Sequence, residues 1–233
     1  MTMPPYASPS RLGVRPTAQL STAFLTHAFL WMFVGLLVTT GVGVLVAGLP
    51  TAQFDSVVSL WLPIVIGQFV IAFALSLAIN RISATLGLLL FFVYAASMGI
   101  TFGVILVAYD LGSVATAGIS AASVFAGAAA YGAITKRDLN AIGGYLVMGL
   151  IGLIVAMVVN LFLGWSTLDF VISVGGVILF TALTAWHIQR IQRGEIAAYT
   201  GSMEKAAVIG AFLLYLDFIN LFFLLLRLFG GRR

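Results

Sequence analysis

Seven apolar stretches, each about as long as a helix must be to cross a bilayer, take up nearly the whole chain. They cover 24–47, 57–79, 84–109, 112–134, 142–163, 168–187 and 206–228, and only short polar breaks separate them. Lipid offers the backbone no hydrogen-bond partners, so apolar runs of this length satisfy their own N–H and C=O groups as spanning helices. Charged residues make up 8% of the chain and hydrophobic ones 62%, whereas soluble domains carry about a quarter charged residues. The composition therefore leaves little for a soluble domain. Short loops favour an antiparallel bundle, and Tyr109, Asp110, Leu111 and Gly112 make a tight turn between the third and fourth segments.

Residues 1–20 are rich in Pro and Ser, carry Arg11 and Arg15, and read as a flexible cytoplasmic tail. Residues 21–233 read as one seven-helix transmembrane domain. The first apolar run is too long for the core of a signal peptide and lacks a small-residue cleavage site, so it is expected to remain as the first span.

Charge sets the expected orientation. With the N-terminus cytoplasmic, one side receives Arg11, Arg15, Arg81, Lys136, Arg137, Arg190, Arg193 and Lys205, and the other receives Asp55, Asp110 and Asp169. The net charge of +4 is then a topological signature and gives no reason to expect nucleic acid. Arg232 and Arg233 fall on the acidic side if the last segment spans, which keeps a re-entrant last segment as the alternative. The chain has no cysteine, so disulfides and thiol chemistry are excluded.

Within this frame Asp217 is the exceptional residue, an acid in the middle of the last apolar stretch with no cation beside it. A central Asp costs roughly 2.5 to 3.5 kcal/mol on insertion, so it is expected to face a partner or water. The competing reading is a protonated Asp acting as interhelical glue. At 100° per residue Asp217, Asn220 and Leu224 share a helix face, expected to look into the bundle. Gln68 and Asn160 read as interhelical hydrogen-bonding groups. Gly99 and Gly103 form a G-x-x-x-G pair, read as a packing surface before a dimerisation motif.

The run Leu214-Tyr215-Leu216-Asp217-Phe218-Ile219-Asn220-Leu221-Phe222, with Arg227 and Gly230 beyond it, closely resembles the C-terminal motif of the Bax inhibitor-1 (transmembrane Bax inhibitor motif) family. Tyr131-Gly132 followed by Thr135-Lys136-Arg137-Asp138-Leu139 resembles the family's fourth-to-fifth helix loop. Leu183-Thr184-Ala185-Trp186-His187-Ile188-Gln189 resembles its sixth-helix motif, and the likeness is greatest to bacterial members. The resemblance implies an all-α integral membrane protein of the bacterial inner membrane, with seven helices and the last one central, surrounded by the other six. It also implies a pH-sensitive calcium leak in which two aspartates, one in the sixth helix and one in the seventh, share a proton. Asp217 matches the second of these. At the first, this sequence has His187.

That exchange alters the electrostatics. Two carboxylates repel and retain a proton between them, whereas an imidazolium and a carboxylate attract. An isolated imidazole titrates at about 6.5, which keeps proton sensing in the physiological range. Calcium prefers six to eight oxygen ligands, so the Asp217–His187 pair offers only a weak calcium site, suited to a permeant ion and not to a bound cofactor. Asn220 joins Asp217 on the expected ion pathway. Arg81 stands where the family often has a basic residue able to approach the pair, making it a candidate latch partner; otherwise it is a positive-inside anchor. The other reading of His187 is an interfacial residue touching headgroups at the cytoplasmic end of the sixth helix.

The sequence thus supports a pH-sensitive calcium leak channel gated by Asp217 and His187. A cation/proton secondary transporter and a non-conducting regulator that binds other membrane proteins are the alternatives. Transporters are usually built from repeats, and no repeat is visible here. Catalysis is not expected. An aspartyl protease needs two facing acids, and neither His27 nor His187 accompanies a G-x-S-x-G motif. The expected partners are the bilayer and calcium ions.

Overall fold

The computed structural model describes residues 18–231. Most of the tail expected over 1–20 lies outside the described residues, as do Arg11, Arg15, Arg232 and Arg233, while Ala18 to Leu20 already belong to the first helix. All regular structure among the described residues is helical: α1 (Ala18–Ala47), α2 (Thr51–Ser59), α3 (Trp61–Ala78), α4 (Ala84–Ala108), α5 (Leu111–Ile134), α6 (Asn140–Leu163), α7 (Ser166–Gln192), α8 (Glu195–Thr200) and α9 (Met203–Phe229). Seven of them, all but α2 and α8, are long and apolar enough to cross a membrane.

Local chemistry explains the boundaries. Ser83 and Asp110 cap α4 and α5, accepting from Leu86 N at 3.2 Å and Ser113 N at 2.8 Å. With Asp110 as the cap, Tyr109 and Asp110 alone connect α4 to α5, which is the tight turn expected there. Gly164 (φ 64°) ends α6, and Gly194 (φ 70°) follows α7, each left-handed where a side chain would be strained.

Two boundaries depart from the sequence reading. The expected helix over 57–79 is broken at Leu60, between α2 and α3. Pro63 has no N–H to return to the Ser59 carbonyl, so a continuous helix would lose a bond at that point. The sixth span continues to Gln192 instead of ending at His187. Its polar last turns hid a continuing apolar stripe, since Ile188 and Ile191 are both buried.

The last helix is the centre of the bundle. Most residues along the apolar length of α9 are buried, whereas in α6 only Gly143 is. α1, α4, α5 and α7 pack directly on it, while α3 lies outward on α4 and α6 outward on α7. Gly99 and Gly103 face α1, where a Cβ on either would collide with Val42 or Val46 and with the carbonyls of Thr39 or Gly43. The G-x-x-x-G pair is therefore used inside the bundle to bring α4 onto α1.

The two ends of the bundle differ in charge. At one end Lys205 Nζ meets the Asn80 carbonyl at 3.3 Å, and Arg193 pairs with Asp138. At the other, Arg227 pairs with Asp169 at 3.0 Å and the Gly231 N–H donates to Ser113 Oγ at 3.0 Å. The last segment thus runs as one unbroken helix from the basic end of the bundle to the acidic end, with no turn-back along its length.

Candidate functional site

Asp217 lies near the middle of α9 and is 2% exposed; His187, on α7, is 7% exposed. The two helices run antiparallel and bring His187 Nδ1 to 2.7 Å from Asp217 Oδ2. An ionised carboxylate only accepts, so in that state Nδ1 carries the hydrogen of the bond, whether the ring is neutral or cationic. Thr184, one turn earlier on α7, faces the same carboxylate, and its hydroxyl donates to the Phe180 carbonyl at 2.8 Å. Asp217 therefore has the partner that its cost in lipid requires. His187 is not an interfacial residue, because its ring is buried and turned toward α9.

Around the pair the structure gathers groups to which the sequence assigned no such role. The Trp186 ring lies against His187, centroids 5.3 Å apart and planes tilted by 30°. The Arg190 guanidinium sits over Trp186 at 4.6 Å. Trp186 Nε1 donates to Asn140 Oδ1 at 2.8 Å, and Asn140 Nδ2 donates to Glu195 Oε1 at 2.8 Å. Gln189, 3% exposed, accepts from the Leu139 N–H at 2.9 Å and donates to the Arg137 carbonyl at 2.8 Å. Trp186 and Gln189 sit in a motif visible in the sequence, but their partners lie about fifty positions away and only the fold brings them together.

The other candidates stand apart. Asn220 Nδ2 donates to its own helix, to Leu216 O at 2.8 Å, and does not engage Asp217. Arg81 is exposed, with no side-chain partner among the described residues. Lys205, whose ammonium reaches Asn80, is separated from Asp217 by about 18 Å of helix rise, more than an arginine side chain spans. The structure therefore does not join Arg81 to the pair, and the anchor reading fits its place. Among the described residues no three His, Asp or Glu side chains come together to hold a metal. At Asp217 the protein offers one carboxylate already bonded to an imidazole, far short of a resident calcium shell.

Gln68 acts as expected of a polar group at depth. Gln68 Nε2 reaches Ser97 O at 2.9 Å and Thr101 Oγ1 at 3.0 Å across α3 and α4. Asn160 instead lies in the last turn of α6, at the end of the bundle, where it accepts from the Trp165 N–H at 3.0 Å and donates to Asp169 Oδ1 of α7 at 3.4 Å. A second buried polar site lies on another side of α9. The Tyr215 hydroxyl is 2.6 Å from Thr39 Oγ1, which is also within reach of Ala95 O at 2.9 Å and Gly35 O at 3.0 Å. It ties α1, α4 and α9 together.

The family model described as inhibitor of apoptosis-promoting Bax1 matches residues 21–233. Inner membrane protein YbhL of Escherichia coli is 37% identical over 226 residues, covering 94% of this chain and 96% of that protein. A protein of Deinococcus radiodurans is 39% identical over 214 residues, 90% of each chain. One of Borreliella burgdorferi is 39% identical over 220 residues, 92% of this chain and 94% of its own.

Proposed function

Because the chain belongs to the Bax inhibitor-1 family, we propose that it is a pH-sensitive calcium leak channel of a bacterial inner membrane, gated by the Asp217–His187 pair. The observation that carries this reading is the 2.7 Å contact between an acid and an imidazole buried at the centre of the bundle. The name of the Escherichia coli relative supports the choice of membrane. The basic end of the bundle is cytoplasmic, as the distribution of Lys and Arg favours.

The gate works through the charge of His187. At low pH the imidazolium and the Asp217 carboxylate attract each other across a water-poor site, and α7 stays clamped to α9. When His187 loses its proton, the attraction between two full charges is lost, and a hydrogen bond from a neutral imidazole to the carboxylate is what remains. The clamp loosens and cation flux rises with pH. Calcium is cargo here: a single carboxylate attracts it without holding it, and a site that an ion leaves easily suits conduction. No catalytic step is involved.

The test is calcium entry into proteoliposomes between pH 5 and 8, comparing wild type with Asp217→Asn, His187→Ala and His187→Asp. Flux that rises with pH in the wild type, depends on Asp217 and loses or shifts its midpoint in the His187 variants is the expected result. A wild type that passes no more calcium than empty liposomes at any pH refutes the channel reading.

A further inference from the structure

We infer that the α5–α6 connection, residues 135–139, together with Asn140 at the start of α6, is a lid that α7 and α8 hold shut over His187, and that it must lift before water or an ion reaches the buried pair from the basic end. The lid is fastened at two points. Gln189 grips its backbone, with one hydrogen bond from the Leu139 N–H and one to the Arg137 carbonyl. Asn140 then bridges the Trp186 indole to the Glu195 carboxylate, so the ring that covers His187 is pinned by the lid itself.

The surroundings explain why this is a lid and not merely a packed loop. Lys136, Arg137 and Asp138 are exposed, so the segment has water on its outer side and only Leu139 as its buried anchor. Its remaining side-chain tie across the bundle is the pair of Arg193 with Asp138, at the surface, of the kind worth little in water. The fastening is thus concentrated in Gln189 and Asn140, and both lie within three positions of His187 or against the ring stacked on it. Gly143 lets Trp186 lie flat against α6, since a Cβ there would come within 2.6 Å of the indole. Few groups need to let go for the whole cover to move.

The geometry of the lid stands by itself; its consequence for gating rests on the channel reading, so the experiment measures access and not flux. The chain contains no cysteine, and His187→Cys alone therefore reports how fast a water-soluble thiol reagent reaches the site. Adding Gln189→Leu removes both grips, and adding Asn140→Ala frees Trp186. Each neutral hydrogen bond biases an opening equilibrium by roughly fivefold, so Gln189→Leu, which removes two, should speed labelling by roughly 25-fold. Asp169→Asn, at the far end, should leave it unchanged. In a second arm, cysteines at Asp138 and Arg193 are joined by a short bifunctional thiol reagent before a distinguishable reagent is offered to position 187, and the bridge should slow that labelling. Equal labelling rates with and without Gln189→Leu, in protein that remains monodisperse and helical, would overturn the lid, as would labelling indifferent to the bridge. If access behaves as expected while calcium flux is absent, the lid stands and only the channel reading falls.

Discussion

Gly132→Ala should cost this protein more than its single methyl group suggests. A Cβ on Gly132 would stand 2.8 Å from Ala185 Cα and 2.9 Å from its carbonyl carbon, and closer still to the carbonyl oxygen. Ordinary carbon contacts begin at about 3.5 Å, so the shortfall is at least ~0.6 Å. Every atom in the way is backbone, and no rotamer change relieves the clash; α5 and α7 must separate. Overpacking of this kind costs about 1–3 kcal/mol, and a rigid obstacle puts the value in the upper half of that range. Replacing Gly by Ala inside a helix returns up to ~1 kcal/mol. The expected net loss is about 1–2 kcal/mol, or roughly 2 to 8 °C in midpoint for a chain of this size. Gly127→Ala supplies the control, being on the same helix with nothing within 4 Å of its Cβ, and should be neutral or slightly stabilising. Thermal unfolding of both variants in one detergent, followed by circular dichroism, decides the matter. A Gly132→Ala protein as stable as wild type, or a Gly127→Ala protein equally weakened, would refute the close approach of α5 to α7. Because Ala185 is two positions from His187, the same variant should also loosen the pair and shift the pH midpoint of flux.

Three further outcomes are expected. Thr39→Val leaves the buried Tyr215 hydroxyl without its 2.6 Å partner, a loss of about 1–3 kcal/mol, and Tyr215→Phe added to it should recover part of that loss in a double-mutant cycle of unfolding midpoints; strict additivity would show that the two do not interact. The Asp138 carboxyl is held below the ordinary aspartate range, first by the Asn140 backbone N–H and then by Arg193. A depressed native value adds stability that is present above the unfolded value near 3.9 and is lost as pH falls through the native one, so Asp138→Asn should leave the flux profile between pH 5 and 8 unmoved and change behaviour only in stronger acid. A profile displaced within that range would show that the lid, and not His187, is the sensor. Finally, single cysteines at Arg81 and Lys136 should label from one side of sealed vesicles and those at Gln53 and Gly231 from the other; labelling of Gly231 from the same side as Lys136 would refute a fully spanning α9.

Seven spans, their order, the segregation of basic and acidic loops and the exceptional status of Asp217 were legible in the sequence because each rests on a local quantity. Apolar length meets a fixed bilayer thickness, and one acid in such a run is conspicuous on any scale. His187 was visible only by its place in a motif, and the sequence left it divided between the core and the headgroups. The tertiary structure decided between them: a side chain's surroundings depend on which helix lies opposite, and pairings such as His187 with Asp217, Gln189 with Leu139 and Trp186 with Asn140 join residues 30 to 50 positions apart. In lipid the hydrophobic effect does not choose between helix neighbours, since tails are as apolar as leucine. Small residues such as Gly99, Gly103 and Gly132 and a few buried hydrogen bonds make that choice, and their partners exist only once the bundle has closed.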